Sequence, residues 1–236
     1  MKVLAIETSS PWGSIAISED TKILCEYNLN SGQTHSETLL ENIDHCLKSL
    51  KLDKENIDCI AVSNGPGSFT GLRIGMTTAK ALAYCFKIPL VSISSLLSFA
   101  YNFSYMKRPI CPMLDARKKE VYAAIYEYGE DKFTTHLHDG AYTPGKVLKH
   151  CTENTVIFGQ GAELYKDLIM SYDRNLIIVP TTHAHPRASS TAILGYWKLM
   201  TGDSEDIKNL TPNYCRKSEA EIHYKGKNRE QDYHLT

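Results

Sequence analysis

The sequence predicts an α/β protein with two lobes, each built in the order βββαβα around a mixed sheet. Two hairpins precede the first helix, which argues against a dinucleotide-binding unit, because that unit needs a helix directly after its first strand. The second half repeats the order of the first with weaker patterns, so we expect a degenerate second lobe. The predicted break near residues 104–108 divides the chain into lobes 1–104 and 105–202 and a surface tail, 203–236.

Alternation and helical period define the elements of the first lobe. Thr34 and Glu37 have the spacing of a capping box, and the apolar residues after them keep helical period. The predicted strands are Val3–Ile6, Ser14–Ser18, Ile23–Tyr27, Cys59–Ser63 and Leu90–Ile93. The predicted helices start at Thr34, after the glycine-rich loop and at Ser95, and the last two end near Phe86 and Asn102.

The same criteria predict the elements of the second lobe. Thr143 and Pro144 are a favourable N-cap and first-turn pair for a short helix. The predicted strands are Ile110–Leu114, Val121–Tyr128, Phe133–His138, Val156–Phe158 and Leu176–Val179. Two further helices are predicted at Ala162–Ile169 and Pro186–Met200, and the polar tail that follows has Tyr214 and Tyr224 as its expected anchors.

Composition restricts the classes of function. The formal net charge of the 236 residues is −1, so the chain has no general electrostatic footprint for nucleic acid. The seven cysteines form no CxxC pair, and most of them lie inside apolar runs. Only Val3–Ile6 is apolar before Glu7, which is too short for a signal-peptide core, and no segment is long enough to span a membrane. We therefore expect a reduced cytoplasmic protein without membrane contact.

The stretch SNGPGSFTGLRIG leads from a predicted strand into a helix. Pro66 and Gly67 suit the centre of a type II turn, and Ser68 or Thr70 suits the N-cap of the helix. Backbone amides at a helix start make a candidate anion site, but the stretch lacks both the GK[ST] triplet of a P-loop and the GxSxG nucleophile pattern. We predict that Gly65, Pro66, Gly67 and Ser68 shape a turn, with ligand binding as the less favoured alternative.

The helix after this loop carries a stripe of small residues, Gly71, Gly75, Ala79 and Ala83, at every fourth position. Each glycine costs a helix roughly 1 kcal/mol relative to alanine. Close approach of a neighbouring backbone is the usual compensation, and the sheet beneath the helix is the expected neighbour. The rest of the helix has so few polar residues that a second covering is expected, either the other lobe or another subunit.

Several blocks of the sequence carry a resemblance to a known family. They are AIETS, HSETLL, GPGSFTGLRIG, IPLVSISSL and LDARKKEVYAAIY, followed by GQGAELY, HPRASS and PNYCRKSEAE. Together they resemble the TsaB (YeaZ-like) family, whose members take part in making threonylcarbamoyladenosine beside the anticodon of tRNAs. The resemblance implies the actin-like (ASKHA) fold of acetate kinase, sugar kinases and Hsp70 for both lobes.

The resemblance also implies a role and a set of partners. The chain would be a non-catalytic scaffold that pairs with a catalytic TsaD-type homologue and a small TsaE-type ATPase, and it would form a homodimer when the partner is absent. It would contact tRNA only through the assembly. It would need no cofactor of its own, since ATP and a metal ion are expected on the partner subunits.

The family's interface between subunits lies on two helices, which correspond to the first two helices here. The residues that the resemblance implies for partner binding are Ser36, Leu40, Arg73, Met76, Thr77 and Lys80. We expect this flank to lie outside the monomer core.

A nucleotide site is a weaker prediction. In actin-like ATPases the first hairpin supplies an acid near the metal, and Glu7, Thr8 and Ser9 stand at that position, although the family usually has Asp-Thr-Ser there. Asp115 is the only candidate for the second acid. We favour a degenerate pocket over a working ATPase, and we predict no catalytic residue in this chain.

Metal chemistry has little support in the sequence. The chain has no HExxH or HxxxH motif, and its closely spaced histidines form two pairs, His136 with His138 and His183 with His185. His183 and His185 flank a loop before Pro186, where we expect solvated surface histidines rather than metal ligands.

The basic residues of the second lobe and the tail allow two interpretations. The turn Arg117–Glu120 is either a solvated hairpin or a contact surface for RNA or a partner, to which Arg216, Lys217, Lys225 and Lys227 of the tail would add.

Two other hypotheses remain for the function of the whole chain. One is an autonomous actin-like-fold ATPase or small-molecule kinase, and the other is a self-contained homodimeric binding module.

Overall fold

The computed structural model, which describes residues 1–130, 132–172, 174–180, 182 and 184–216, contains two mixed sheets of the same topology. The first sheet has the order β3-β2-β1-β4-β5 and consists of β1 (Lys2–Glu7), β2 (Gly13–Glu19), β3 (Lys22–Leu29), β4 (Cys59–Ser63) and β5 (Leu90–Ile93). The second has the order β10-β9-β6-β7-β8 and consists of β6 (Pro109–Asp115), β7 (Val121–Gly129), β8 (Lys132–Tyr142), β9 (Val156–Phe158) and β10 (Ile177–Ile178).

Both sheets pair their strands in the same way. Three antiparallel strands come first, and the two later strands run parallel to the first one. The prediction of two lobes with mixed sheets is therefore confirmed. The α-helices are α1 (His35–Ser49), α2 (Phe69–Phe86), α3 (Ser95–Tyr101), α4 (Pro144–His150), α5 (Gln160–Leu164), α6 (Lys166–Met170) and α7 (Ala188–Met200).

Helices cover both faces of the first sheet. Successive residues of a strand point to opposite faces, so neighbouring residues of β1 belong to different cores. Leu4 and Ile6 of β1 belong to the core beneath α1 and α2. Val3 and Ala5 of the same strand belong to a smaller core with Ala16, Ala61, Ala188 and Ala192, which places α7 on the opposite face. Gly195 of α7 lies so close that an added Cβ would be 2.6 Å from the Cβ of Ala61.

Two helices pack on the sheet of the other half of the chain. Helix α7 follows the second sheet in sequence but packs on the first sheet. Helix α3 precedes the second sheet in sequence, and its Phe99 packs with Ile110 and Phe158 of that sheet. The predicted division at residues 104 and 202 separates the two sheets but misassigns α3 and α7, because sequence order does not specify which sheet face a helix covers.

Other elements differ from the prediction in detail. The predicted helix 162–169 is two short helices, because Tyr165 between them leaves helical conformation with φ −111° and ψ 24°. Strand β8 extends to Tyr142, since residues 140–142 continue to pair with β7. The tail is described up to Arg216 and contacts both halves of the molecule, while Tyr224 and the three lysines of the predicted basic tail lie outside the described residues.

Candidate functional site

The glycine-rich loop and α2 lie directly on the turn that follows β1. An added Cβ would lie 2.3 Å from the carbonyl oxygen of Ser9 at Gly67, 2.1 Å from that of Thr8 at Gly71, and 2.2 Å from Thr8 Oγ1 at Gly75. Real Cβ atoms do not approach other atoms this closely, so Gly67 and Gly71, which face backbone oxygens, require glycine, and a Cβ at Gly75 would displace the hydroxyl of Thr8. The small-residue stripe therefore faces the end of β1, and Ala79 and Ala83 continue it into the first core.

Hydrogen bonds fix this contact. The backbone N–H of Ser68 donates to the carbonyl oxygen of Ser9 (2.6 Å), and Thr8 Oγ1 donates to the carbonyl oxygen of Gly71 (2.8 Å). Ser68, rather than Thr70, is the N-cap of α2, since its hydroxyl accepts the N–H of Gly71. The predicted type II turn at Pro66-Gly67 is wrong. Gly65 has the positive φ of +112°, whereas Gly67 does not, and Gly65 lies against the tail, where an added Cβ would be 2.6 Å from the carbonyl oxygen of Asn213.

Glu7, Thr8 and Ser9 are buried. Glu7 Oε1 accepts the N–H of Ser9 (2.6 Å), while Glu7 Oε2 has no protein partner. Burial raises the pKa of Glu7 above its ordinary value, and the nearby hydroxyls of Ser9 and Ser63 oppose this shift only in part. The structure therefore places the predicted first acid inside the protein, beneath the glycine-rich loop.

Asp115 ends β6 as Glu7 ends β1, but its surroundings differ. Its carboxylate is half-buried, Oδ1 accepts the N–H of Arg117 (2.8 Å), and it lines the cleft between the two sheets. Arg117 and the next two residues all have positive φ, of 63°, 50° and 63°. The structure does not bring the two predicted acids together in one open site, because Glu7 does not line this cleft.

The interlobe cleft has a volume of about 630 Å³. One wall comes from the turn after β1, the loop before α1 and the start of α2, and the other comes from the β6–β7 turn and the tail. Residues from both walls that line the cleft include Ser9, His35, Ser68, Phe69, Thr70, Asp115, Arg117, Tyr122, Gln160 and Arg216. A cavity of about 310 Å³ adjoins it beside Trp12 and His185.

The histidines of the two closely spaced pairs differ in their exposure to solvent. His185 stacks on Trp12 with ring centroids 4.4 Å apart, and burial lowers its pKa below the ordinary value. The prediction that His185 is a solvated surface residue is therefore wrong, and the aromatic partner explains its burial. His136 is exposed and pairs with Glu127 (2.9 Å), and His138 is exposed, while His183 lies outside the described residues.

The predicted partner-binding flank is only partly a surface. Ser36, Leu40 and Thr77 are exposed, and the exposed fraction of Leu40 is 62%. Met76 is only 3% exposed and belongs to the first core, so its placement on a contact surface is wrong. Leu72, Met76, Ala79 and Ala83 follow the spacing i, i+4, i+7, i+11, which puts Met76 on the buried face of α2.

Arg73 and Lys80 lie on this flank but bind the tail of the same chain. Arg73 Nε donates to the hydroxyl of Tyr214 (3.0 Å), and its guanidinium lies 4.3 Å from the ring centroid of Phe69. Lys80 Nζ donates to the carbonyl oxygens of Lys208 (3.3 Å) and Leu210 (3.0 Å). Sequence reasoning missed these contacts. Tyr84, which the helical period places on the same polar seam as Arg73, Thr77 and Lys80, is 76% exposed.

Within the part of the chain that the structure describes, no group of three or more histidine, cysteine, aspartate or glutamate side chains is arranged to hold a metal ion. Among the same residues, no helix has both the length and the apolar character needed to cross a bilayer.

Two sheets of identical topology that face each other across a cleft define an actin-like α/β protein. Two crystal structures from Pseudomonas aeruginosa have this fold. One is described as similar to the peptidase YeaZ (TM-score 0.79, 22% identity, covering 91% of this chain and 99% of the other), and one is described as YeaZ (TM-score 0.78, 21% identity, 90% and 99%). Component A of (R)-2-hydroxyglutaryl-CoA dehydratase from Acidaminococcus fermentans is more distant in fold, with a TM-score of 0.51 over 85% of this chain and 99% of its own.

Sequence comparisons give the family. The family model described as TsaD, tRNA N6-adenosine threonylcarbamoyltransferase, matches residues 23–224. The tRNA threonylcarbamoyladenosine biosynthesis protein TsaB of Bacillus subtilis is 31% identical over 94% of this chain and 96% of its own length, and that of Escherichia coli is 24% identical over 93% and 96%. This chain belongs to the TsaB family, within the wider group that the transferase model describes.

Proposed function

We propose that this chain is a non-catalytic subunit in the formation of threonylcarbamoyladenosine in tRNA, and that it pairs in the cytoplasm with a catalytic TsaD-type homologue. A small TsaE-type ATPase is the proposed third member. The observation that carries the non-catalytic role is the position of Glu7, Thr8 and Ser9, which are buried beneath the glycine-rich loop. These residues stand where an actin-like ATPase would present its first acid and its first phosphate-binding turn.

The packing around these residues supports a role without nucleotide chemistry. The backbone of α2 contacts Thr8 and Ser9 so closely that not even a methyl group fits at Gly67 or Gly71, so no phosphate group fits between α2 and the turn after β1. The carboxylate of Glu7 receives a single backbone hydrogen bond. The pKa of Glu7, raised by burial, favours a neutral acid, which is a poor partner for a metal ion.

The exposed surface of α1 and α2 supports pairing with another subunit. Leu40 and Tyr84 are 62% and 76% exposed, respectively, and lie on α1 and α2, two helices that contact each other. Ser36, Leu40 and Thr77 remain the proposed contact residues on this face. A homodimer would use the same face when the partner is absent, so the two assemblies would compete.

The charge of the chain supports an indirect role with tRNA. With a formal net charge of −1, the protein has few unopposed cations to neutralise phosphates, and binding of nucleic acid depends mainly on such contacts. We therefore propose that tRNA is bound mainly by the other subunits of the assembly, which also carry ATP and the metal ion.

Reconstitution tests this proposal. Threonylcarbamoyl transfer to tRNA is measured with the TsaD-type and TsaE-type subunits, with and without this chain, and with the variants Leu40→Glu and Leu164→Glu. Leu164 is the matched control, because it is 59% exposed but lies on α5 in the other half of the molecule. We expect transfer to require the chain, to be lost with Leu40→Glu together with binding of the TsaD-type subunit, and to survive Leu164→Glu.

The rival hypotheses give different results in the same assays. An autonomous ATPase or kinase would hydrolyse ATP as an isolated chain and would lose that activity with Asp115→Ala. A homodimeric binding module would remain a dimer in light scattering when the TsaD-type subunit is added. Transfer of threonylcarbamoyl to tRNA by this chain alone would contradict the proposed non-catalytic role.

A further inference from the structure

The last described segment, residues 203–216, runs along the first lobe and ends on the second; we call it the strap. It starts at the edge of the first sheet, where the N–H of Glu205 donates to the carbonyl oxygen of Leu90 (2.8 Å). It then passes along α2, where Lys80 binds two of its carbonyl oxygens, and reaches the glycine-rich loop, where the N–H of Asn213 donates to the carbonyl oxygen of Asn64 (2.7 Å).

The far end of the strap contacts the second half of the molecule. The guanidinium of Arg216 donates to the carbonyl oxygen of Ala116 in the β6–β7 turn (2.6 Å), and Arg216 lines the interlobe cleft. Cys215 is half-buried, and burial together with the carboxylate of Asp139 on β8 raises the pKa of its thiol to about 11. The strap therefore bridges the two lobes at one end of the cleft.

One aromatic contact holds the strap next to this bridge. The ring of Tyr214 stacks on Phe69 with centroids 4.1 Å apart and an interplanar angle of 16°. Arg73 lies over the ring of Phe69 and donates to the hydroxyl of Tyr214, so the three side chains contact one another. Phe69 also lines the cleft, which places this contact at the cleft's edge.

At its first residues the strap is also held by Glu205, whose carboxylate accepts hydrogen bonds from Lys198 Nζ (2.8 Å) and from the hydroxyl of Ser92 (2.5 Å). None of residues 203–216 is buried, and only Ile207 and Leu210 pack, partly exposed, against the first core. Segments with few buried apolar contacts and solvent-exposed hydrogen bonds open locally at a lower free energy than the whole protein. From Asp206 onward the strap has few buried apolar contacts and none of its residues is buried.

We propose that residues 203–216 form a releasable clasp between the two lobes, held by the stack of Tyr214 on Phe69, and that its release uncovers one end of the interlobe cleft. The clasp opens without unfolding the cores of either lobe. This inference concerns the isolated chain and does not depend on the proposed function.

The native cysteines provide the test. Cys215 lies in the strap, Cys85 is exposed on α2, and Cys59 and Cys111 are buried in the first and second sheets. The full chain is labelled with iodoacetamide, and the rate at each cysteine is obtained by peptide mass spectrometry. Each rate is divided by that of the same cysteine in the urea-unfolded variant, which removes differences in intrinsic thiol reactivity.

We expect Phe69→Ala to raise the normalised rate at Cys215 at least tenfold and to change that at Cys85 less than twofold, with Cys59 and Cys111 still protected. Tyr214→Ala is the second variant, at a partly exposed residue, and should give the same result. Tyr84→Ala removes another aromatic ring from α2, one that is 76% exposed, and should leave Cys215 unchanged. An unchanged rate at Cys215 in both clasp variants overturns the proposal. So does a joint rise at Cys215 and Cys59, because the strap would then open only with the whole protein.

Discussion

Thr8 donates a hydrogen bond from its Oγ1 to the carbonyl oxygen of Gly71 over 2.8 Å, although the two residues are 63 positions apart in the chain. This bond joins the end of β1 to the first turn of α2. It requires that α2 approach the strand end without side chains, which Gly71 and Gly75 provide. The same approach buries Glu7, Thr8 and Ser9 beneath the glycine-rich loop.

Replacing Gly71 by alanine should destabilise the fold. A Cβ at this position would lie 2.1 Å from the carbonyl oxygen of Thr8. We expect a loss of about 1–3 kcal/mol in the free energy of unfolding, even though alanine in a helix is intrinsically better than glycine by roughly 1 kcal/mol. Urea unfolding followed by circular dichroism measures this.

The matched control for this prediction is Gly129→Ala, because a Cβ at Gly129 meets no atom within 4 Å. It should change the stability by less than about 0.5 kcal/mol. If Gly71→Ala were as stable as the wild type, α2 would not pack on the end of β1 as closely as described.

Ionisation of Glu7 should oppose folding. Burial raises the pKa of Glu7 in the folded chain, so the folded state holds this proton more tightly than the unfolded state does. The stability contributed by the neutral acid is fully present below the unfolded pKa and is lost as the pH rises through the folded pKa. Glu7→Gln remains neutral, so its stability relative to the wild type, measured by urea unfolding, should increase as the pH rises above the unfolded pKa of about 4.3.

Glu19→Gln is the control for Glu7. Glu19 is paired with Lys2 at 2.9 Å, and this hydrogen bond lowers the pKa of Glu19. A depressed pKa gives stability that is present above the unfolded pKa and lost on acidification, so the relative stability of Glu19→Gln should fall with rising pH. A flat profile for Glu7→Gln would show that Glu7 is solvated in the folded protein.

Substitution of Met76 should unfold the monomer rather than disrupt an interface. Met76 is 3% exposed in the first core, and a glutamate there would bury an unpaired charge. We expect Met76→Glu to reduce the free energy of unfolding by about 3 kcal/mol or more. Thr77→Glu, at the exposed neighbouring position, should retain the melting temperature of the wild type and weaken binding of the TsaD-type subunit. A stably folded Met76→Glu monomer would contradict its burial.

The stack of Trp12 on His185 should respond to pH. Burial lowers the pKa of His185, so protonation is disfavoured in the folded chain. The stability that this gives is present above the unfolded pKa of about 6.5 and is lost as the pH falls through the folded pKa. Trp12 fluorescence, measured in a Trp197→Phe background, should therefore change on acidification at a pH below about 6.5. His185→Phe keeps an aromatic ring and should abolish this change, whereas a change that persists in His185→Phe has another origin.

Local patterns in the sequence determined most of the secondary structure. The capping box at Thr34 and Glu37 and the bounds Cys59–Ser63 and Leu90–Ile93 match the structure, because strands and helix starts depend on neighbouring residues. The alternation of Ser14–Ser18 predicts a strand with one buried face. The strand is present, but helices cover both faces of its sheet and all five residues are buried. Two hairpins before the first helix were sufficient to predict the mixed sheets. The quoted blocks also gave the family, since a family signature is a property of sequence alone.

Tertiary structure decided which surfaces remain open. The sequence indicated that the stripe of Gly71 and Gly75 needs a close neighbour, but only the fold shows that Thr8 and Ser9 are that neighbour and are buried by it. The tertiary structure also decided that Met76 points into the core and that Tyr214 stacks on Phe69. It placed α3 on the second sheet and α7 on the first sheet. These contacts join residues far apart in the chain, and their free energy depends on burial and distance in three dimensions, which local patterning does not encode.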